Sequence, residues 1–168
     1  MTSQGAFAIL DLRQRPEFRA SVADRVWRAW WSRKGVARST IEVKVADALT
    51  DVWLPSTWVA CRGNDFLGTA SLIACDLEAR AELSPWVAAV WVEPPARRKG
   101  VGAGLVAAAA NFALANGARS VWLCARPCVC TFYERLGWQR TEDDVGDDRL
   151  SIYTLSPREA KAPHSLSV

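Results

Sequence analysis

Histidine is almost missing from this chain: His164, near the C-terminus, is the only one in 168 residues. Nucleophilic catalysis by a Ser-His-Asp or Cys-His arrangement therefore lacks its base, and a zinc site built on histidine lacks its ligands. Cysteine is present, but not in the form of a disulfide framework. The five cysteines are an odd number, and three of them, Cys124, Cys128 and Cys130, crowd one short stretch. Cys128-Val129-Cys130 has neither the spacing nor the second pair of a zinc knuckle. These residues read as core or helix-facing thiols in a reducing, cytoplasmic setting. Long apolar runs are missing too. No segment approaches the roughly 18 residues of a membrane span, and Met1-Thr2-Ser3-Gln4-Gly5 shows no basic-then-apolar leader. Charge of one sign is also lacking, with a formal net charge of +3. The basic residues are scattered apart from Arg97-Arg98-Lys99, so neither a nucleic-acid nor a membrane partner is expected.

What is present is apolar material, half of the residues, enough for a real core. The length suits one domain, taken as residues 1–156 with a tail from Pro157 onward. Residues 6–10 read as a first strand. Arg15-Pro16-Glu17 reads as a helix start, followed by Phe18, Val22, Val26 and Ala29 as one buried face. Trp27, Trp30 and Trp31 make that helix aromatic, and Gly35 ends it. Residues 39–49 carry both a strand-like alternation and a helical period; Ser39 with Glu42 as a capping box favours a helix. Residues 57–61 and 65–75 read as a hairpin around Arg62-Gly63-Asn64, with Gly68 marking a bulge. Residues 76–84 form a charged loop. Residues 86–92 read as a strand buried on both faces, and residues 105–116 as an alanine-rich helix stopped at Asn116-Gly117. Residues 120–124 are a strand, 129–136 a short helix, and 138–141 with 150–155 a terminal hairpin. Strands interleaved with helices predict an α/β (α+β) sheet protein.

The informative segment is Val90-Trp91-Val92-Glu93-Pro94-Pro95-Ala96-Arg97-Arg98-Lys99-Gly100-Val101-Gly102-Ala103-Gly104-Leu105. A buried strand leaves the sheet through two prolines, and a basic, glycine-rich turn opens a helix. Glycines let backbone N–H groups approach an anion. The helix start adds unpaired donors and its positive dipole end, and Arg97, Arg98 and Lys99 add full charges. The segment is physically a phosphate-binding turn. A Walker A loop would end in Gly-Lys-Ser/Thr, whereas Leu105 follows Gly104. A dinucleotide fingerprint needs a different final spacing and no basic triplet ahead of it.

Arg97-x-x-Gly100-x-Gly102 resembles the Q/R-x-x-G-x-G/A signature of the GCN5-related N-acetyltransferase (GNAT) superfamily. Phe132-Tyr133-Glu134-Arg135-Leu136-Gly137-Trp138 is similar to an element found about thirty residues downstream in that superfamily. Leu83-Ser84-Pro85-Trp86-Val87-Ala88 looks like the start of its fourth strand. The resemblance runs from about Asp65 to Leu155. It implies a single GNAT-like domain with a mixed, mostly antiparallel sheet flanked by helices. It also implies acetyl-CoA as cosubstrate, with the turn backbone, including Arg98, Lys99, Gly100, Val101, Gly102 and Ala103, on the pyrophosphate. Val90, Trp91 and Val92 would pair their backbone edge with the pantetheine arm, as an added strand does. Gly104 completes the turn, and Arg126 stands where many relatives have an asparagine that bonds the pantetheine. Such proteins acetylate an amine-bearing acceptor and are often dimers, so a homodimer is the partner expectation.

The implied chemistry requires an amine to lose a proton, a thioester oxygen to be stabilised, and a thiolate to be protonated. By its place in the motif Tyr133 is the candidate acid. Residues 86–92 contain no carboxylate, so Glu82 leads Asp76 and Glu78 as candidate base, with a water relay equally open. Glu142, Asp143, Asp144, Asp147 and Asp148 read as a loop that could attract a cationic amine, or as a solvated hairpin tip. The alternative function is a non-catalytic acyl-CoA-binding module.

Overall fold

The computed structural model describes residues 6–157, so all but the first residue of the expected tail, and His164 with it, lie outside the described residues. Strand β1 (Ala8–Asp11) ends where Asp11 and Gln14 form a capping box. Pro16 then occupies the first position of a 3₁₀ turn that feeds helix α1 (Arg19–Val26). The same helix continues as a π turn, Trp27–Trp31, and closes at Gly35 with φ +72°. Phe18, Val22 and Val26 are buried as their spacing predicts, but Ala29 is exposed. A π turn takes more residues per revolution, which rotates Ala29 outward and brings Trp27 and Trp30 against the core.

Helix α2 (Arg38–Asp47) buries Ile41 and Val45 and leaves Val43 exposed, so the helical period prevails over the alternation. Its N-cap is Ala37, with no side-chain cap, so Ser39 and Glu42 form no capping box. Strands β2 (Ser56–Arg62) and β3 (Asp65–Ile73) make the expected hairpin around Gly63-Asn64. Their register shifts where Ala60 pairs Gly68 but Cys61 pairs Phe66, which leaves Leu67 as the extra residue. A Cβ on Gly68 would stand 2.6 Å from the Trp91 carbonyl oxygen, so the glycine lets the next strand approach.

That strand, β4, is Trp86–Val92 as read from the sequence. It is buried only in its N-terminal half, because its register with β3 shifts after Ser71–Ala88 and resumes at Thr69–Trp91. Ala89, inside the bulge, has φ +51°. Helix α3 (Val101–Ala115) begins four residues earlier than its alanine-rich stretch suggests. Strand β5 (Val121–Ala125), helix α4 (Cys130–Arg135), and strands β6 (Gln139–Val145) and β7 (Leu150–Leu155) complete the chain. Strand β6 runs past the expected end at Thr141, which places Glu142, Asp143 and Asp144 in a strand rather than a loop. As an edge strand it is open to water, and polar side chains there discourage edge pairing.

The seven strands form one sheet of order β1-β2-β3-β4-β5-β7-β6, antiparallel except at β4–β5. On one face the small side chains of Ala109, Ala110 and Ala113 let α3 sit close to Trp58, Leu72, Val87 and Leu123. On the other, α1 and α2 cover Val59 and Cys61. The loop residues Leu77 and Leu83 cover Trp86 and Ile152 on β4 and β7.

Candidate active site

Strands β4 and β5 are paired at Trp86–Trp122, where the Trp122 N–H donates to the Pro85 carbonyl at 3.0 Å. Past that point no ladder joins them among the described residues. Trp91 pairs Thr69 and the Glu93 N–H donates to Leu67, so the backbones of Trp91 and Glu93 are turned to β3. Alternation then aims the N–H and C=O groups of Val90 and Val92 into the gap. The expected edge therefore rests on Val90 and Val92, while Trp91 contributes its ring. Arg97 folds back over this edge: its Nε donates to the Val92 carbonyl at 2.9 Å, and its guanidinium lies 4.9 Å above the Trp91 ring.

At the end of β4, Ala96 and Arg97 close a tight turn onto Glu93 and Pro94. Arg98 (φ +59°) and Gly100 (φ +81°) take left-handed conformations, an alternation that points successive amides to one side. The first bond entering α3 runs from Gly104 N–H to Gly100 C=O at 3.0 Å, and no side chain caps the helix. The N–H groups of Arg98, Lys99, Gly100, Val101, Gly102 and Ala103 consequently have no protein acceptor among the described residues. Six such donors, the positive end of a fifteen-residue helix and three exposed basic residues give this turn the chemistry that suits an anion.

The three glycines do separate work. At Gly100 space is open on all sides, and only the positive φ calls for glycine. Gly102 faces the mouth of the gap, where an added Cβ would stand 3.4 Å from Phe132 and 3.5 Å from Val92. Gly104 turns inward, where a Cβ would overlap Ile9 of β1. Its structural role is thus to seat α3 against the sheet.

Helix α4 places Tyr133 beneath this mouth, 8% exposed and in edge contact with Phe132 at 5.0 Å between centroids. Its hydroxyl has no hydrogen-bond partner among the described residues. Burial pushes its pKa upward, and the charges of Cys124, Asp76 and Cys130 push it further. The other tyrosine, Tyr153, is fully buried and donates to Glu134 Oε1 at 3.0 Å. Only Tyr133 has an uncommitted hydroxyl.

Cys124 lies on β5 beyond its pairing with β4 and is held to Ile152 of β7, and its thiol donates to Asp76 Oδ2 at 3.2 Å. Asp76 is an exposed loop residue as a whole, but its carboxyl lies deep enough that lost hydration pushes its pKa up, against the lowering effect of the thiol. Cys124 is pushed up in turn by burial and by the Asp76 charge. Strand alternation could have placed Cys124 beside Trp122 on one face, but no local pattern joins it to Asp76, forty-eight residues away.

The remaining predicted residues are more dispersed. Glu82 is exposed before β4, with Arg80 the charge beside it. Arg126 pairs at 3.8 Å with Asp148. The acidic residues near the last hairpin mostly hold arginines: Glu142 binds Arg80, Asp143 binds Arg140 and Ser151, and Asp144 binds Arg149. They are less available to a cationic ligand than their sequence suggests. Trp30 stands edge-on to Trp91 at 6.4 Å, and Trp27 donates to Val36 at 2.8 Å. All five cysteines are free thiols. Among the described residues no cluster is fit to hold a metal ion, and no helix is long and apolar enough to cross a membrane.

A family model described as Acetyltransferase (GNAT) family matches residues 13–138. Among solved structures, a protein of Acinetobacter baylyi assigned as an acetyltransferase has a TM-score of 0.73 at 13% identity, covering 98% of this chain and 99% of that one. A Salmonella typhimurium protein assigned as an acetyltransferase, solved with its cofactor acetyl-CoA, has a TM-score of 0.70 at 17% identity, covering 96% and 99%. A Desulfovibrio desulfuricans protein assigned to the GNAT family has 0.68 at 17% identity, covering 90% and 99%. At these identities the likeness is one of fold. No curated protein matches the chain in sequence.

Proposed function

This chain belongs to the acetyltransferase (GNAT) family, and we propose that it binds acetyl-CoA at residues 97–104 and transfers the acetyl group directly to a primary amine of a small molecule or peptide. The observation that carries the reading is the run of unpartnered amides from Arg98 to Ala103 opening α3 beside the free edge of β4. The amides suit a pyrophosphate, and an edge presenting Val90 and Val92 suits an arm that contains two amide groups. Phe132, 38% exposed between Gly102 and the solvent, adds an apolar lip for that arm. Arg97 would release Val92 as the arm arrives and keep its charge at the turn.

Tyr133 is the proposed acid. Among the described residues its hydroxyl faces no protein acceptor, and its raised pKa keeps it protonated well above neutral pH. That state is the one required to protonate a leaving thiolate. Glu82, exposed and beside Arg80, would take a proton from the amine through solvent.

Calorimetry with coenzyme A, ATP and NAD tests the ligand, and release of free thiol from acetyl-CoA with a panel of alkylamines, amino acids, an aminoglycoside and a lysine peptide tests the transfer. Coenzyme A should bind and the nucleotides should not. Thiol release with at least one amine is the expected result; binding without release from any of them would favour an acyl-CoA-binding module.

A further inference from the structure

Five features surround the gap between β4 and β5: the β4 edge, the anion turn, the phenol of Tyr133, the thiol of Cys124 and the carboxyl of Asp76. The first three are absorbed by acetyl-CoA binding and acid catalysis. The last two are not.

We infer that Asp76, held by the Cys124 thiol, is the proton acceptor for the incoming amine, and that it afterwards restores Tyr133. The inference rests on the acetyl-transfer reading above and puts Asp76 in place of Glu82, which that reading reaches only through solvent. Its basis is geometric. Cys124 sits on β5 beyond the Trp86–Trp122 pairing, so it borders the gap itself. It anchors Asp76 at 3.2 Å, and the Asp76 charge is among the causes that push the Tyr133 pKa up. The nearby carboxylates are bound by arginine: Glu134 by Arg140, Glu142 by Arg80, and Asp148 by Arg126. Among the described residues Asp76 has no arginine or lysine partner, and a base needs an unneutralised lone pair. Among the described residues the ionisable group acting on it is Cys124 from β5, and Asp76 in turn acts on Tyr133 from α4. Of its own loop, Arg80 is engaged by Glu142 of β6, and Glu82 lies beside Arg80.

The proton circuit balances with a neutral amine entering. Asp76 takes the N–H proton as the nitrogen pair forms the C–N bond. The C–S bond breaks with its electron pair leaving on sulfur, and Tyr133 gives that sulfur its proton. Asp76 then returns its proton to the tyrosinate. Both residues end as they began, and the products are an amide and a free thiol. Cys124 stays a thiol throughout, since burial and the Asp76 charge hold it protonated. It is a positioning residue.

The test uses the full chain, acetyl-CoA and the best acceptor of the amine panel. Asp76 must be ionised to act, so wild-type kcat/KM should rise with pH through the Asp76 pKa, separately from the further rise at higher pH in which the acceptor amine itself becomes neutral. Asp76→Asn should lower kcat/KM by about 10²-fold, the scale of a lost general base, and should abolish the first rise, with coenzyme A affinity unchanged by calorimetry. Cys124→Ala removes a hydrogen bond that favours the carboxylate, so the rise should move to higher pH; Cys124→Ser, which keeps a donor, should move it back. A wild-type profile and rate in Asp76→Asn would overturn the inference while leaving acetyl transfer in place. Failure of wild-type protein to release thiol with any amine would overturn the transfer reading, and this inference with it.

Discussion

The two tyrosines show how much a residue's role depends on what its polar end meets. Tyr153 is wholly buried on β7 and spends its hydroxyl on Glu134. Tyr133 is nearly as buried, yet among the described residues its hydroxyl has no such partner, and burial and the Asp76 charge push its pKa up. We therefore expect Tyr133→Phe to lower kcat by about 10²-fold through loss of acid catalysis, with the coenzyme A dissociation constant unchanged in calorimetry. Tyr153→Phe should leave kcat within a few-fold and instead loosen Glu134. Wild-type turnover in Tyr133→Phe would remove that phenol from the mechanism. The motif made this residue visible from sequence. The Asp76–Cys124 pair was not visible in the same way, because it joins a loop to a strand across forty-eight residues and has no periodicity to read.

At the scale of the element, legibility follows how local the cause is. Strand β4 is found at Trp86–Val92 as read, since its near-continuous apolar run is a property of the segment alone. Its bulge at Ala89 depends on pairing with β3 and leaves no mark in the composition. The π turn at Trp27–Trp31 likewise moved Ala29 outward against a regular helical spacing. Helix α3 starts at Val101, inside the glycine segment; the glycines suggest a loop because helices disfavour them, but the left-handed Gly100 and the close-packed second turn at Gly104 both call for them. This division is testable with two alanines. Gly100→Ala places a side chain at φ +81°, a strain of about 1–2 kcal/mol, and should weaken coenzyme A binding because it distorts the run of amides. Gly104→Ala pushes the Ile9 Cδ1 methyl aside, an overpacking cost of about 1–3 kcal/mol offset by about 1 kcal/mol of gained helix propensity, with binding nearly intact. Urea denaturation and calorimetry on both variants separate the two effects; equal loss of binding would show that Gly104 also belongs to the anion site.

For the whole molecule, the important property is where the sheet is weakest. Strands β1 to β4 form one antiparallel block and β5, β7 and β6 another, joined through Trp86–Trp122 and the helix packing across them. A ligand seated in the gap bridges both blocks and binds only the assembled fold, so it stabilises by mass action. At a coenzyme A concentration near 100 times its dissociation constant this amounts to about 2.7 kcal/mol, or roughly 5–10 °C in Tm for a domain of this size. The protection should not be uniform. Hydrogen exchange should slow most at the amides of Val90 and Val92 and at those of residues 98–103, which face no protein acceptor before the ligand arrives. The ladders between β1, β2 and β3 already hold their partners and should change least. Uniform slowing, without preference for the gap, would mean that the ligand stabilises the fold from somewhere else and that β4 and β5 are not bridged by it.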